Sequence, residues 1–303
     1  MIKNAFIYTA NFLDAISEDE YREQINKFAS GCPFVECQPT QHKSAGFVPP
    51  RLGGDAVEWI DGNIIMDIRI DTRKVPADAV RKEVDRLIAR IEYETGRKPG
   101  KKQRKELAEQ AEHELLPKAF TKTVVVRVWI SAKHGFVVVG AGTQSLADEI
   151  MTSLAIMFEG IASFGVLQTE MSPAAAMTHW LGSGEAPYNF TVDRECELKS
   201  LDEMKSVVKY NRHNLDTDEV KQHIVSGKVP TRVALTWRDR VSFVLTDALT
   251  MKKIALLDVV MLDGEDKDDD AFTADVTIFT AEMSDLLNDL SLALGGLTQP
   301  AAE

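Results

Sequence analysis

Cysteine is scarce. The three in this chain of 303 residues, Cys32, Cys37 and Cys196, are too few and too unevenly spaced for a disulfide framework or a four-thiolate zinc site. Reduced thiols in a cytosolic protein are the expectation. Long apolar runs are missing as well: nothing approaches the ~20 residues of a membrane span. The opening Met1-Ile2-Lys3-Asn4-Ala5-Phe6 soon gives way to polar and acidic residues rather than to a signal-peptide core. Neither membrane insertion nor export is expected. Catalytic signatures are absent too, with no Gly-x-Ser-x-Gly elbow and no Walker-type loop. The six histidines (His42, His113, His134, His179, His213, His223) have no metal-ligand spacing, and His113-Glu114 lacks the second histidine of a zinc helix. Gly140-Ala141-Gly142 has Ser145 where a dinucleotide loop needs its third glycine, which leaves a tight strand-to-helix turn. Asp266, Asp268 and Asp270 resemble half of a calcium loop, but Ala271 stands in place of the turn glycine and Thr277 in place of the bidentate glutamate. They read as a solvated acidic loop. The expectation is a protein that is not an enzyme, with no catalytic residue, metal or cofactor.

What is present begins with an ordinary globular composition, 44% hydrophobic and 27% charged, long enough for two or three cores. Net charge is −12, yet it is unevenly shared: from Asp247 to Glu303 thirteen acids face three bases, which leaves only −2 for the preceding 246 residues. Against that trend stands Arg97-Lys98-Pro99-Gly100-Lys101-Lys102-Gln103-Arg104-Lys105, in which six of nine residues are cationic. Such a run is often only a solvated turn. In an acidic chain, a cluster of this density is better read as a site for a polyanion or an acidic partner, because surface fields are set locally.

The flanking periodicity gives the run its setting. Val80, Val84, Leu87, Ile88 and Ile91 form one helical stripe, begun at Pro76 and ended at Gly96, and Leu107, Ala108, Ala111 and Leu115 form another, stopped by Pro117. Two helices joined by a Pro-Gly turn make a hairpin projecting roughly 30 Å at 1.5 Å per residue, with the cations at its far end. Around it the pattern is antiparallel α+β. Residues 5–9, 57–60, 64–70, 124–130, 136–139 and 164–167 read as strands, with helices starting at Ser17 and spanning Gln144 to Glu159, while Gly46-Phe47-Val48-Pro49-Pro50 reads as irregular. After Pro173 come a short helix to Gly184, strands at Phe190–Val192 and Glu195–Leu198, and a helix from Asp216 to Ser226. Strands at 233–237, 241–245, 251–257 and Val276–Phe279 follow, then a helix capped by Thr280 and carrying Met283, Leu286, Leu287, Leu290 and Leu294. The expected architecture is therefore α+β, with antiparallel-sheet central (1–75 and 120–172) and base (173–303) domains and an inserted helical-hairpin tip domain (76–119). A second, scattered cationic group comprises Lys205, Lys209, Arg212, His213, Lys221, Lys228 and Arg232; within it Lys209-Tyr210-Asn211-Arg212-His213 puts cation, aromatic and amide in what reads as one short loop, residue types that suit phosphate contacts.

The cationic run, Gly46-Phe47-Val48-Pro49-Pro50, Leu115-Leu116-Pro117-Lys118-Ala119-Phe120, and Gly227-Lys228-Val229-Pro230-Thr231-Arg232-Val233-Ala234-Leu235-Thr236-Trp237 followed by Arg240 occur in this order. In that order and spacing the chain resembles the RdgC family of bacterial recombination-associated proteins, from the N-terminal strand to Leu294-Gly295-Gly296-Leu297. The resemblance implies a cytoplasmic, nucleoid-associated homodimer closed into a ring, which binds double-stranded DNA without sequence preference and restrains recombinase activity. It implies that Arg97 and Lys98 are basic tip positions, that Arg212 faces DNA, and that Phe120 is the aromatic of a tip-side subunit contact, a dimer gate. From the residues alone, Phe120 reads as a core aromatic at the root of a strand. Phe47, where the family often has tryptophan, and His213, where an uncharged amide is expected, depart from the pattern.

The candidate DNA-binding set is thus Arg97, Lys98, Lys101, Lys102, Arg104, Lys105, Lys118, Lys209 and Arg212. Two other classes stay open. A metal-dependent nuclease would hold Mg²⁺ on Asp266, Asp268 and Asp270. A regulator acting only by direct contact with a recombinase would need no DNA.

Overall fold

The computed structural model describes residues 1–13, 16–258, 260 and 269–298. Among them the elements run β1 (Phe6–Phe12), α1 (Glu18–Gly31), β2 (Lys43–Val48), β3 (Val57–Ile60), β4 (Asn63–Arg73), α2 (Ala77–Thr95), α3 (Lys101–Leu115), a single 3-10 turn (Leu116–Lys118) and β5 (Thr121–Ser131). Then come β6 (Phe136–Val139), α4 (Gln144–Met157), β7 (Ala162–Val166), α5 (Pro173–Ser183), β8 (Phe190–Ser200), β9 (Val207–Asn211), α6 (Asp218–Val225), β10 (Lys228–Trp237), β11 (Val241–Thr246), β12 (Met251–Leu256) and α7 (Asp269–Ala293). The strands hydrogen-bond in the orders β2-β4-β5-β6-β1-β7, with β3 on β4, and β12-β11-β10-β8-β9. The fold is α+β.

The described residues divide into two compact units, one of Met1–Phe28, Pro49–Met66 and Arg127–Glu303, the other of Ala29–Val48 and Asp67–Val126. In the first unit, local chemistry sets the element boundaries. Ser17 and Glu20 form a reciprocal capping box at the start of α1, where the Ser17 amide donates to Glu20 Oε2 at 3.0 Å and the Glu20 amide to Ser17 Oγ at 3.4 Å. The Ser17 amide and hydroxyl, both donating to Glu20 Oε2, hold the Glu20 carboxyl below its ordinary pKa. Asp61 and Gly62, both at positive φ, make the two-residue turn that pairs Ile60 with Asn63.

The apolar core of this unit gathers round α7. Met283, Leu286, Leu287, Leu290 and Leu294 are each at most 1% exposed, worth about 1.5–3 kcal/mol apiece relative to exposure. Two tryptophans lock their polar edges into it: Trp129 Nε1–H donates to Asn63 Oδ1 at 2.8 Å, and Trp237 Nε1–H to Asp289 Oδ2 at 2.9 Å. Arg240 grips Glu282 of α7 through Nε at 2.9 Å and Nη2 at 2.5 Å.

Several expectations are corrected here. Val276–Phe279 is not a strand, and Thr280 does not cap a helix; both lie inside the 25-residue α7. The β-branched run suggested extension, but Val276, Phe279 and Met283 continue the buried helical stripe, and that burial outweighs local propensity. The two short strands near 190 and 195 are one strand, β8, whose register shifts opposite β10 mark irregularities. Gly46-Phe47-Val48 is regular structure in β2. Lys209-Tyr210-Asn211 lies on β9 rather than in a loop. Of the acidic loop, Asp266 and Asp268 lie outside the described residues, and Asp270 falls in the first turn of α7.

The second unit holds β2, the later part of β4, α2, α3 and the start of β5. Gly46 explains why β2 can form: a Cβ there would stand 2.4 Å from the Phe34 Cα, so only glycine lets the strand lie against that segment. Phe34 N–H donates to the Phe47 carbonyl at 2.9 Å, and Phe47 N–H to the Cys32 carbonyl at 3.0 Å.

Candidate nucleic-acid interface

Helices α2 and α3 pack through the two stripes legible in the sequence. Leu87, Leu107 and Ala111 are buried between them, with Val80, Val84, Ile88 and Ile91 packed around. Gly96, at φ 66°, ends α2 in a left-handed cap and returns its amide to the Glu92 carbonyl at 2.8 Å. The connection that follows is held by its own bonds. Thr95 Oγ1 donates to the Ile91 carbonyl at 2.7 Å and accepts from the Arg97 amide at 3.4 Å. Pro99 is buried, and Arg104 Nε donates to its carbonyl at 3.1 Å.

On this frame all six cations of the run are exposed. Arg97 and Lys98 stand in the connection, whereas Lys101, Lys102, Arg104 and Lys105 occupy the first turn and a half of α3. That placement opposes helix stability. The N-terminus of a helix carries partial positive charge, so each cation there costs about 0.3–1 kcal/mol where an acid would stabilise. Helices α1 and α6 follow the ordinary rule, opening with Glu18-Asp19-Glu20 and Asp218-Glu219, but α3 has no acid in its first turn. Lys98 reaches Glu92 at 3.7 Å and Lys105 reaches Glu109 at 3.7 Å, both on the surface. Among the described residues no ion-pair partner stands beside Arg97, Lys101 or Lys102. The result is a concentrated positive field with free donors, the chemistry that receives phosphate oxygens.

The other candidates are dispersed. Lys118 is exposed in the 3-10 turn at the opposite end of α3, where its charge acts on Glu83. Lys209, on β9 in the other unit, is engaged by Glu197 at 2.9 Å, a pairing that holds the Glu197 carboxyl below its ordinary pKa. Arg212 follows β9 with φ 55° and is exposed. His213 turns Nδ1 to the Asn214 carbonyl at 2.7 Å and lies 5.3 Å from the Tyr210 ring. In the rest of the scattered group, Lys221 pairs with Asp216 at 2.6 Å and Lys228 Nζ meets His223 Nδ1 at 3.0 Å.

Phe120 is 96% exposed, so the core reading of this aromatic is overturned. Just before it, Arg73 ties the chain: Nη1 donates to the Pro117 carbonyl at 3.2 Å and Nη2 to the Cys37 carbonyl at 3.1 Å. Asp71 is buried nearby on β4, and Arg69, bonded to it at 3.1 Å through both Nε and Nη2, holds its carboxyl below the usual range. Tyr93 escaped the sequence reading. It is 92% exposed on α2, and its position, two residues past Ile91 and so on the face opposite the apolar stripe, was available from periodicity.

A family model described as "Putative exonuclease, RdgC" matches residues 1–297. The chain belongs to the RdgC family. Recombination-associated protein RdgC of Cupriavidus necator is 39% identical over 297 residues, covering 97% of this chain and 98% of its own length. That of Bordetella parapertussis is 38% identical over 298 residues, with 97% and 98% covered, and that of Dechloromonas aromatica 39% over 270 residues, with 87% and 88% covered. The protein is thus a recombination-associated protein of RdgC type. At the end of the Gly227–Trp237 segment, Trp237 and the nearby Arg240 have a structural part to play, fastening β10 and the turn that follows it to α7. Among the described residues no three His, Cys, Asp or Glu side chains gather as a metal-binding set, and no helix is long and apolar enough to cross a membrane.

Proposed function

We propose that the protein is a sequence-neutral double-stranded DNA clamp: a homodimer closed into a ring around the duplex, associated with the nucleoid, which restrains recombinase activity on the DNA it occupies. In this reading residues 76–119 form the tip of each subunit, inserted within a central domain (1–75 and 120–172) that a base domain (173–303) follows, and Phe120 closes the tip-side contact. The observation that carries the proposal is the cationic start of α3. Six exposed cations are gathered in the connection and the start of α3, four of them where the helix dipole already repels them, in a chain of net charge −12. A phosphate backbone is the partner that turns this unfavourable arrangement into a favourable one. Arg212 adds a contact from the five-stranded sheet, and Lys209 contributes less because Glu197 already holds it. The names of the RdgC relatives agree with a role in recombination.

The test is a salt titration. Replacing Arg97, Lys98, Lys101 and Lys102 by alanine should lower affinity about equally for unrelated duplexes and flatten the plot of log affinity against log salt by up to about 0.9 per lost phosphate contact. An unchanged slope rejects the run as a DNA contact.

The family model's description supports a second reading, an exonuclease. Incubation of end-labelled linear DNA with the protein and Mg²⁺ decides between them: progressive loss of label as mononucleotides supports the nuclease, and intact DNA under a stable complex supports the clamp.

A further inference from the structure

The exposed ring of Phe120 is held from both sides along the chain. Before it, Arg73 Nη1 donates to the Pro117 carbonyl at 3.2 Å, and the Ala119 amide closes the 3-10 turn on the Leu116 carbonyl at 3.1 Å, above a Leu116 side chain that is 1% exposed. After it, Thr123 Oγ1 donates to Asp71 Oδ1 at 2.7 Å. Asp71 and Arg73 are alternate residues of β4, so both side chains leave the strand on one face. Arg73 is an unusual choice for a tie. Its Nη2 goes to the Cys37 carbonyl at 3.1 Å, its Nε is buried without a hydrogen-bond partner, and among the described residues no carboxylate pairs with it. A guanidinium spent on backbone carbonyls and left in part desolvated is a local cost of the kind retained where function needs the geometry. Without such ties, an exposed aromatic at the end of a turn loses its freedom only on meeting a partner, and the contact is weaker by that ordering.

We propose that Arg73 is a positioning residue for Phe120: together with Asp71 it fixes the backbone on both sides of the ring, so that the ring meets the second subunit already oriented. This rests on the reading of Phe120 as the tip-side contact and adds the residues that keep that contact ready to close. In an isologous contact both copies of the ring are present, so the ordering is borne twice when the ties are lost. Retention of a closed ring on circular DNA is then sensitive to a residue that touches neither the partner nor the DNA.

The wild-type protein, Arg73→Met, Thr123→Val and Phe120→Ala are loaded on covalently closed circular DNA, shifted to high salt and followed as they dissociate. Binding to a short linear duplex over a range of salt is measured alongside, and circular dichroism checks the fold. Arg73→Met keeps an apolar stem but bonds neither carbonyl, and should leave closed circles roughly tenfold faster than wild type. Its affinity for the linear duplex should stay within about twofold, at an unchanged salt slope. Thr123→Val removes the second tie and no charge; it should shorten retention in the same direction, and it carries the test if Arg73→Met does not fold. In a Phe120→Ala background neither substitution should speed release further, because the ring they position is gone. A lowered salt slope in Arg73→Met would make Arg73 a phosphate contact and overturn the positioning role, as would a loss of retention that persists in the Phe120→Ala background. Wild-type retention of both folded variants, beside rapid release of Phe120→Ala, overturns it alone. Equal retention of wild type on closed and cut circles overturns the ring reading together with this one.

Discussion

Phe120 stands 96% exposed directly after a 3-10 turn whose Pro117 carbonyl is held by Arg73, so the ring is presented rather than packed. An exposed phenylalanine contributes almost nothing to the stability of its own chain, and its burial in a partner contact can supply much of the energy of a small interface. Phe120→Ala should therefore unfold within about 2 °C of wild type, in contrast to the ~3–5 kcal/mol lost when a core phenylalanine is truncated. Thermal unfolding by circular dichroism and mass in solution check this. A strongly lowered Tm would contradict the exposed placement, and a folded dimer is the expected species if the larger subunit contact lies elsewhere.

At the scale of elements, Gly46 shows how tertiary approach decides local structure. With no room for a side chain beside Phe34, Gly46→Ala must push β2 away from the Cys32–Phe34 segment, at a cost of about 1–3 kcal/mol. Denaturant titration should show a lower midpoint at an unchanged slope, and a neutral effect would contradict the observed closeness. The glycine and two prolines at 46–50 look like a loop in the sequence because the segment they accommodate is distant in neither space nor chain but invisible to periodicity. Helices α2 and α3 were legible because one apolar face of each is uninterrupted from Val80 to Ile91 and from Leu107 to Leu115. The start of α7 was not, since Val276-Thr277-Ile278-Phe279 has the local preference of a strand and becomes helical through burial of Val276 and Phe279. Lys209 shows the same limit at the site: its charge was legible, and its pairing with Glu197 across β8 and β9 was not.

For the whole molecule, the proposed clamp rests on charge and symmetry together. In that proposal the cations of each subunit supply affinity, but encirclement requires a second copy, and a two-fold pair of subunits closes a ring only through two separate isologous contacts, each on the two-fold axis. Electrostatic affinity fades as salt rises, whereas a closed ring on a closed circle is held topologically until a contact opens. The measurement that tests encirclement most directly is retention of the protein on covalently closed circular DNA after a shift to high salt, compared with the same DNA cut once beforehand. We expect wild-type protein to stay on the closed circle and leave the cut one, and Phe120→Ala to leave both. Equal retention of wild type on closed and cut DNA would contradict the ring.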